Sequence, residues 1–199
     1  MLMLASVRLV VGQTDTIKIP VDDPQAAERL YNEGTVLYDK GQLELAEKKF
    51  TEAINIKPDF AKAYYNRGVV RIDLNQNDGA MLDFNKTIGL EPTANAYFSR
   101  GQLKYRMGDS EGSYADYTSA IGLDNMHAQS YYYRASIFFD KKDYDSAIED
   151  LKKAIAAKSD YAYAYNDLGS AYRMKEDYDQ AINYYREAVR VNPKLAFAY

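Results

Sequence analysis

An all-α solenoid, a row of five helix–turn–helix units, is the fold class this sequence predicts, and three observations carry it. Related stretches beginning at Ala27, Ala61, Ala94, Ala128 and Ala162 recur at spacings of 34, 33, 34 and 34. A fixed period in this range marks units that bury their apolar surface by stacking on one another. Counted from that alanine as slot 1, slot 8 holds Gly34, Gly68, Gly101, Ala135 and Gly169, and slot 20 holds Ala46, Ala80, Ser113, Ala147 and Ala181. Small residues facing one another let two helices joined by a short turn approach closely, and a large residue there should overpack by roughly 1–3 kcal/mol. Proline closes the unit: Pro58, Pro92 and Pro193 occupy slot 32, beyond the end of a helix.

Residues 1–24 form a leader. Leu2 to Val11 is mostly apolar but carries Arg8, and it is too short to span a bilayer. It reads either as a signal-peptide remnant, which would place the chain in the periplasm or outside the cell, or as an extended segment of a cytoplasmic protein. Residues 25–193 form the array, with units at 27–60, 61–93, 94–127, 128–161 and 162–193. Slots 4, 8 and 11 share one face of a first helix, and slots 20, 24 and 27 share one face of a second. Slot 4 holds Leu30, Tyr64, Tyr97, Tyr131 and Tyr165, and slot 24 holds Phe50, Phe84, Tyr117, Leu151 and Tyr185. The slot 24 residue is expected to fill space toward the next unit. The first helix should end near slot 14, where Gly41 and Gly108 at slot 15 suit a left-handed stop, and Asp143 and Asp177 at slot 16 can cap the second helix. Asn77 and Ser110 replace an apolar residue at slot 17, so looser turns are expected in units two and three. The residue missing between Pro92 and Gly101 should shift the packing phase there. Residues 194–199 start a sixth unit or form a capping helix. Either the natural chain continues, or another copy covers this end by self-association.

Slots 7 and 23 vary together. Arg67, Arg100 and Arg134 meet Asp83, Asp116 and Asp150; the first unit swaps the signs as Glu33 and Lys49; the fifth has Leu168 and Tyr184. This predicts an ion pair within each unit, worth under ~1 kcal/mol if exposed. It would fix the register of the two helices.

Composition excludes several functions. A net charge of −4 argues against nucleic acid, whose binding surfaces are basic. With no Cys and a single His, no metal site of the usual His/Cys kind and no thiol chemistry is expected. His127 reads as a surface residue of the turn before the fourth unit. The carboxylates Asp140, Asp143, Asp145, Glu149 and Asp150 straddle a helix start, where the dipole favours them. Gly108 to Gly112 lacks the Lys-Ser/Thr ending of a phosphate loop and reads as a turn. No catalytic constellation and no cofactor are expected.

Small residues at slots 8 and 20, aromatics at 4 and 24, and proline at 32 make the chain resemble the tetratricopeptide repeat family. The resemblance implies a right-handed superhelix whose first helices line a concave groove, with slots 2, 5, 9 and 12 and some of slots 6 and 13 facing inward. By that geometry the groove residues are Tyr31, Thr35 and Tyr38; Lys62, Tyr65, Asn66, Val69 and Ile72; Asn95, Phe98, Gln102, Tyr105 and Arg106; Gln129, Tyr132, Tyr133, Ser136 and Phe139; and Tyr163, Asn166, Ser170 and Arg173. Rings with amides and hydroxyls between them suit an extended peptide or a docked helix of a partner protein, with no catalysis. Helix-to-helix packing is the alternative role for any one of these tyrosines. Family members that clamp the C-terminal carboxylate of chaperones need cations and amides here. Asn66 matches that pattern, but Tyr31, Thr35, Asn95 and Ser99 do not, so no such clamp is expected. Two other readings stay open: the targeting region of a longer polypeptide, and a solenoid that stacks RNA or sugar rings on Tyr and Phe.

Overall fold

The computed structural model describes residues 25–198 of the 199-residue chain; the leader 1–24 and Tyr199 lie outside the described residues. It consists of ten α-helices, with no strand among the described residues. They pair as five hairpins: α1 (Ala26–Asp39) with α2 (Leu43–Ile56), α3 (Ala61–Asp73) with α4 (Asn77–Leu90), α5 (Ala94–Arg106) with α6 (Ser110–Leu123), α7 (Ala128–Asp140) with α8 (Tyr144–Ala157), and α9 (Ala162–Met174) with α10 (Tyr178–Val191). A short 3-10 helix, Pro193–Ala198, follows. The hairpins stack into a right-handed superhelical solenoid. No helix among the described residues is long and apolar enough to cross a membrane.

All five hairpin turns are built alike. The slot 15 residue is left-handed in each: Gly41 (φ 72°), Asn75 (60°), Gly108 (86°), Lys142 (61°) and Glu176 (63°). The next amide then bonds back to the slot 11 carbonyl, at 2.7 Å for Gln76 to Arg71 and 3.0 Å for Asp177 to Tyr172, which closes the helix end. The turns of units two and three are therefore as tight as the others, contrary to the expectation from Asn77 and Ser110. The left-handed residue sets the turn, and slot 17 does not. Asn77 instead has a buried side-chain oxygen without a hydrogen-bond partner. Asp109, Asp143 and Asp177 cap α6, α8 and α10 by accepting from the backbone amide of the third residue of each helix, at 2.8–3.2 Å.

Glycine at slot 8 makes room for the ring at slot 24 of its own hairpin. A Cβ on Gly34, Gly68, Gly101 or Gly169 would lie 2.8–2.9 Å from Phe50, Phe84, Tyr117 or Tyr185. The slot 24 side chain thus fills the hairpin's own interior and, as expected from the sequence, also reaches the next unit, where Phe50 clusters with Val70 and Phe84 with Leu103. The exception follows the same rule: Ala135, which carries a Cβ, faces the unit whose slot 24 is Leu151. Packing is tight enough that the Tyr117 hydroxyl is buried without a partner, and burial pushes its pKa up to about 12.

The slot 7–23 ion pair is present in each hairpin that carries the charges, and in the middle three it is buried. Arg67, Arg100 and Arg134 each grip Asp83, Asp116 and Asp150 with two nitrogens at 2.6–3.0 Å. A third nitrogen reaches back to the preceding hairpin, to Thr51 (3.1 Å), Asn85 (2.7 Å) and Thr118 (3.0 Å) respectively. Each arginine therefore ties its own two helices together and also ties them to their neighbour. The Arg100 bond to Asn85 keeps this geometry across the one-residue deletion. The deletion is absorbed in the α4–α5 link, where Thr93 turns extended (φ −129°, ψ 155°) and caps α5 with its side chain, so the packing phase is kept.

Candidate functional site: the inner surface of the first helices

The first helices of successive hairpins touch side by side, and their contacts repeat from hairpin to hairpin. Slot 5 of one hairpin meets slot 6 of the next. The Asn66 amide donates to the Tyr31 hydroxyl at 3.0 Å, the hydroxyls of Tyr65 and Ser99 share a hydrogen bond at 3.1 Å, Phe98 packs on Tyr133 at 5.5 Å, and Tyr132 faces Asp167. Further along, slot 12 reaches slot 13: the Tyr38 hydroxyl donates to Asp73 at 2.9 Å and that of Tyr105 to Asp140 at 2.7 Å. The slot 5 rings are also supported from beneath by the residue just before the next hairpin. Tyr31 rests on Phe60 at 5.2 Å, Phe98 on His127 at 5.2 Å and Tyr132 on Tyr161 at 4.9 Å.

None of the groove residues named from the sequence is fully buried. Tyr31, Thr35, Tyr38, Tyr65, Asn66, Val69, Phe98, Gln102, Tyr132, Ser136, Phe139 and Asn166 are half-buried, and Lys62, Asn95, Tyr105, Gln129 and Arg173 are exposed. They lie on the odd-numbered helices α1 to α9. The slot 5 rings serve in packing as well, since Tyr31 sits 5.7 Å from Phe50 and Tyr65 sits 5.9 Å from Phe84. One face of each ring packs within the hairpin and the remainder stays accessible. Two hollows punctuate the row. One of about 180 Å³ lies among Tyr31, Lys62, Tyr65, Asn66 and Asn95, and one of about 210 Å³ among Tyr132, Ser136, Phe139, Asp167 and Ser170.

His127 departs from its sequence reading as a surface residue. It is buried, caps α7 by accepting from the Ser130 amide at Nδ1, and bonds Asn95 through Nε2 at 3.0 Å. Nδ1 accepts a backbone proton, so the ring's own proton sits on Nε2. Burial lowers its pKa below the ordinary value. The signal was available in the period: His127 shares its slot with Phe60 and Tyr161, both apolar props.

The sequence also passed over Asp167, which shares slot 6 with Asn66, Ser99 and Tyr133. Its carboxylate accepts from the Asn166 amide at 3.0 Å, and burial raises its pKa. Burial, with the Asp167 charge next, raises the pKa of Tyr132 as well. Among the described residues no group of three His, Cys, Asp or Glu is placed to hold a metal ion.

A family model described as the ETO1 C-terminal domain matches residues 3–195. Among solved structures, a MamA protein is similar at 22% identity, with a TM-score of 0.74 over 87% of this chain and 95% of that one. YrrB, titled a TPR protein with an unusual peptide-binding site, has 18% identity and a TM-score of 0.70 over 86% of this chain and 89% of its own. PilF of Pseudomonas aeruginosa has 17% identity and a TM-score of 0.76 over 84% and 77%. No curated protein sequence matches. At these identities the likeness is one of fold.

Proposed function

Because the chain belongs to the family of the ETO1 C-terminal domain and has the tetratricopeptide repeat fold, we propose that it is a non-catalytic scaffold that holds a peptide or partner protein in its concave groove. The observation that supports this most is the row of slot 5 rings. Tyr31, Tyr65, Phe98 and Tyr132 are each fixed from behind by a neighbouring ring or bond yet keep part of their surface open. Rings immobilised before binding lose little entropy on contact, which is what makes an aromatic row an effective anchor. The amides of Gln102 and Gln129 lie between them and can bond a peptide backbone. A neighbour of like fold, YrrB, is described as carrying a peptide-binding site.

The test uses substitutions that fill the groove without removing a ring that the hairpins need. Val69→Arg with Gln102→Arg should abolish recovery of bound partners in a pull-down while leaving the melting curve near that of the unaltered chain. Recovery of the same partners by both proteins would contradict the groove as the binding face.

A further inference from the structure

The groove deepens between the fourth and fifth hairpins into the cavity of about 210 Å³, below the roughly 300–1,000 Å³ that takes a whole small ligand. It suits one side chain. Ala135, Phe139 and Leu151 form its apolar walls, Ser136, Asp167, Ser170 and Tyr132 supply polar lining, and Asp140, which accepts from the Tyr105 hydroxyl, adds a second carboxylate at the edge.

Asp167 stands apart from the buried aspartates elsewhere in the solenoid. Asp83, Asp116 and Asp150 each hold a guanidinium. Asp167 accepts from the neutral Asn166 amide and faces Tyr132, with no ion pair among the described residues. Asp167 is half-buried, and a partly desolvated carboxylate lacking a counter-charge is costly, a cost that a ligand cation would offset. The two serines carry the same message. Ser136 donates its proton to the Tyr133 carbonyl at 2.7 Å and Ser170 donates to the Asn166 carbonyl at 3.2 Å. Ser170 Oγ also shares a hydrogen bond with the Tyr185 hydroxyl at 3.1 Å, so the free acceptor capacity is that of Ser136 and the carboxylates, and few donors face the cavity. A matching ligand must bring protons and positive charge.

An ammonium brings three donors on a point charge, and its methylene stem matches the walls formed by Phe139 and Leu151. A guanidinium prefers both oxygens of a carboxylate, and here Asn166 already occupies Oδ1. We infer that the cavity between the fourth and fifth hairpins is a specificity pocket for a lysine side chain of the peptide that occupies the groove. This rests on the groove being the binding face.

The test is selection of a random-peptide display library on the full chain, on Asp167→Asn and on the groove-filled variant Val69→Arg/Gln102→Arg. The expected result is a set of groove-dependent peptides sharing a lysine at one fixed position. Replacing that lysine by norleucine should weaken binding to the unaltered chain by about tenfold and leave binding to Asp167→Asn unchanged. Ser136→Ala gives a second handle should Asp167→Asn melt early, since it should weaken the lysine peptide and spare the norleucine one. Groove-dependent peptides without a fixed lysine would overturn the pocket while leaving the groove in place. So would a norleucine penalty equal in all variants. Failure to recover any peptide that the filled groove excludes would overturn both.

Discussion

The first and fourth hairpins place an ion pair in the same two slots, and only the fourth buries it. Glu33 and Lys49 meet at 2.8 Å with both side chains substantially in solvent, whereas Arg134 and Asp150 meet at 2.7 Å with Asp150 almost wholly enclosed. The difference follows from neighbours. Among the described residues no hairpin stands before α1, while Arg134 is wedged against the third hairpin and bonds Thr118 there. An exposed lysine and glutamate can only attract one another weakly. A planar guanidinium in a closed seam satisfies two carboxylate oxygens and a residue of the next unit at once. The period thus repeats a position, and stacking decides whether that position stabilises one hairpin or the joint between two.

The largest effect that follows is for Arg134→Ala, which leaves Asp150 buried without a cation and should destabilise by roughly 3–5 kcal/mol in urea unfolding. The paired change Arg134→Leu with Asp150→Tyr, which copies Leu168 and Tyr184 of the fifth hairpin, should cost much less than the single change. Equal losses would show that the seam depends on the charge pair itself. Next comes Gly68→Ala, which pushes a methyl into Phe84 and should cost roughly 1–3 kcal/mol. By the same contact Ala135→Gly should tolerate Leu151→Phe better than Ala135 does. Glu176→Gly works in the opposite direction. It relieves a left-handed glutamate and should stabilise by about 1 kcal/mol. Glu33→Ala should cost under ~1 kcal/mol, and salt should shrink that value.

A pH effect belongs to the seam between the third and fourth hairpins. His127 has a lowered folded pKa, so above its unfolded value of about 6.5 it contributes no pH dependence. As pH falls through that value the unfolded chain takes up the proton first, and stability is lost. Melting temperatures at pH 7.5 and 5.5 should differ less for His127→Asn, which keeps a side-chain acceptor at the cap, than for the unaltered chain.

The hairpins were legible in the sequence because sterics wrote them five times over. Glycine under a ring, a left-handed stop and a closing proline leave traces in residue type, and the co-varying slots 7 and 23 disclosed a contact. Three things were not legible for physical reasons. Burial of the ion pair depends on the neighbouring hairpin, which a pattern within one unit does not contain. Asp167 occurs once in its slot, so no repetition marked it, and it is defined by Tyr132 of the preceding hairpin. His127 shares its slot with apolar props, but its bond to Asn95 of the preceding hairpin is written in no single unit. The deletion before Thr93 looked like a phase change because the sequence does not show how much a three-residue link can absorb.

The most direct measurement is amide shift mapping of the full chain with a bound peptide from the display selection. Binding in the groove predicts that the largest changes fall on α3, α5, α7 and α9 around Tyr65, Phe98, Gln102 and Tyr132. Changes concentrated instead on the second helices, around exposed Leu82 and Leu123, would contradict it.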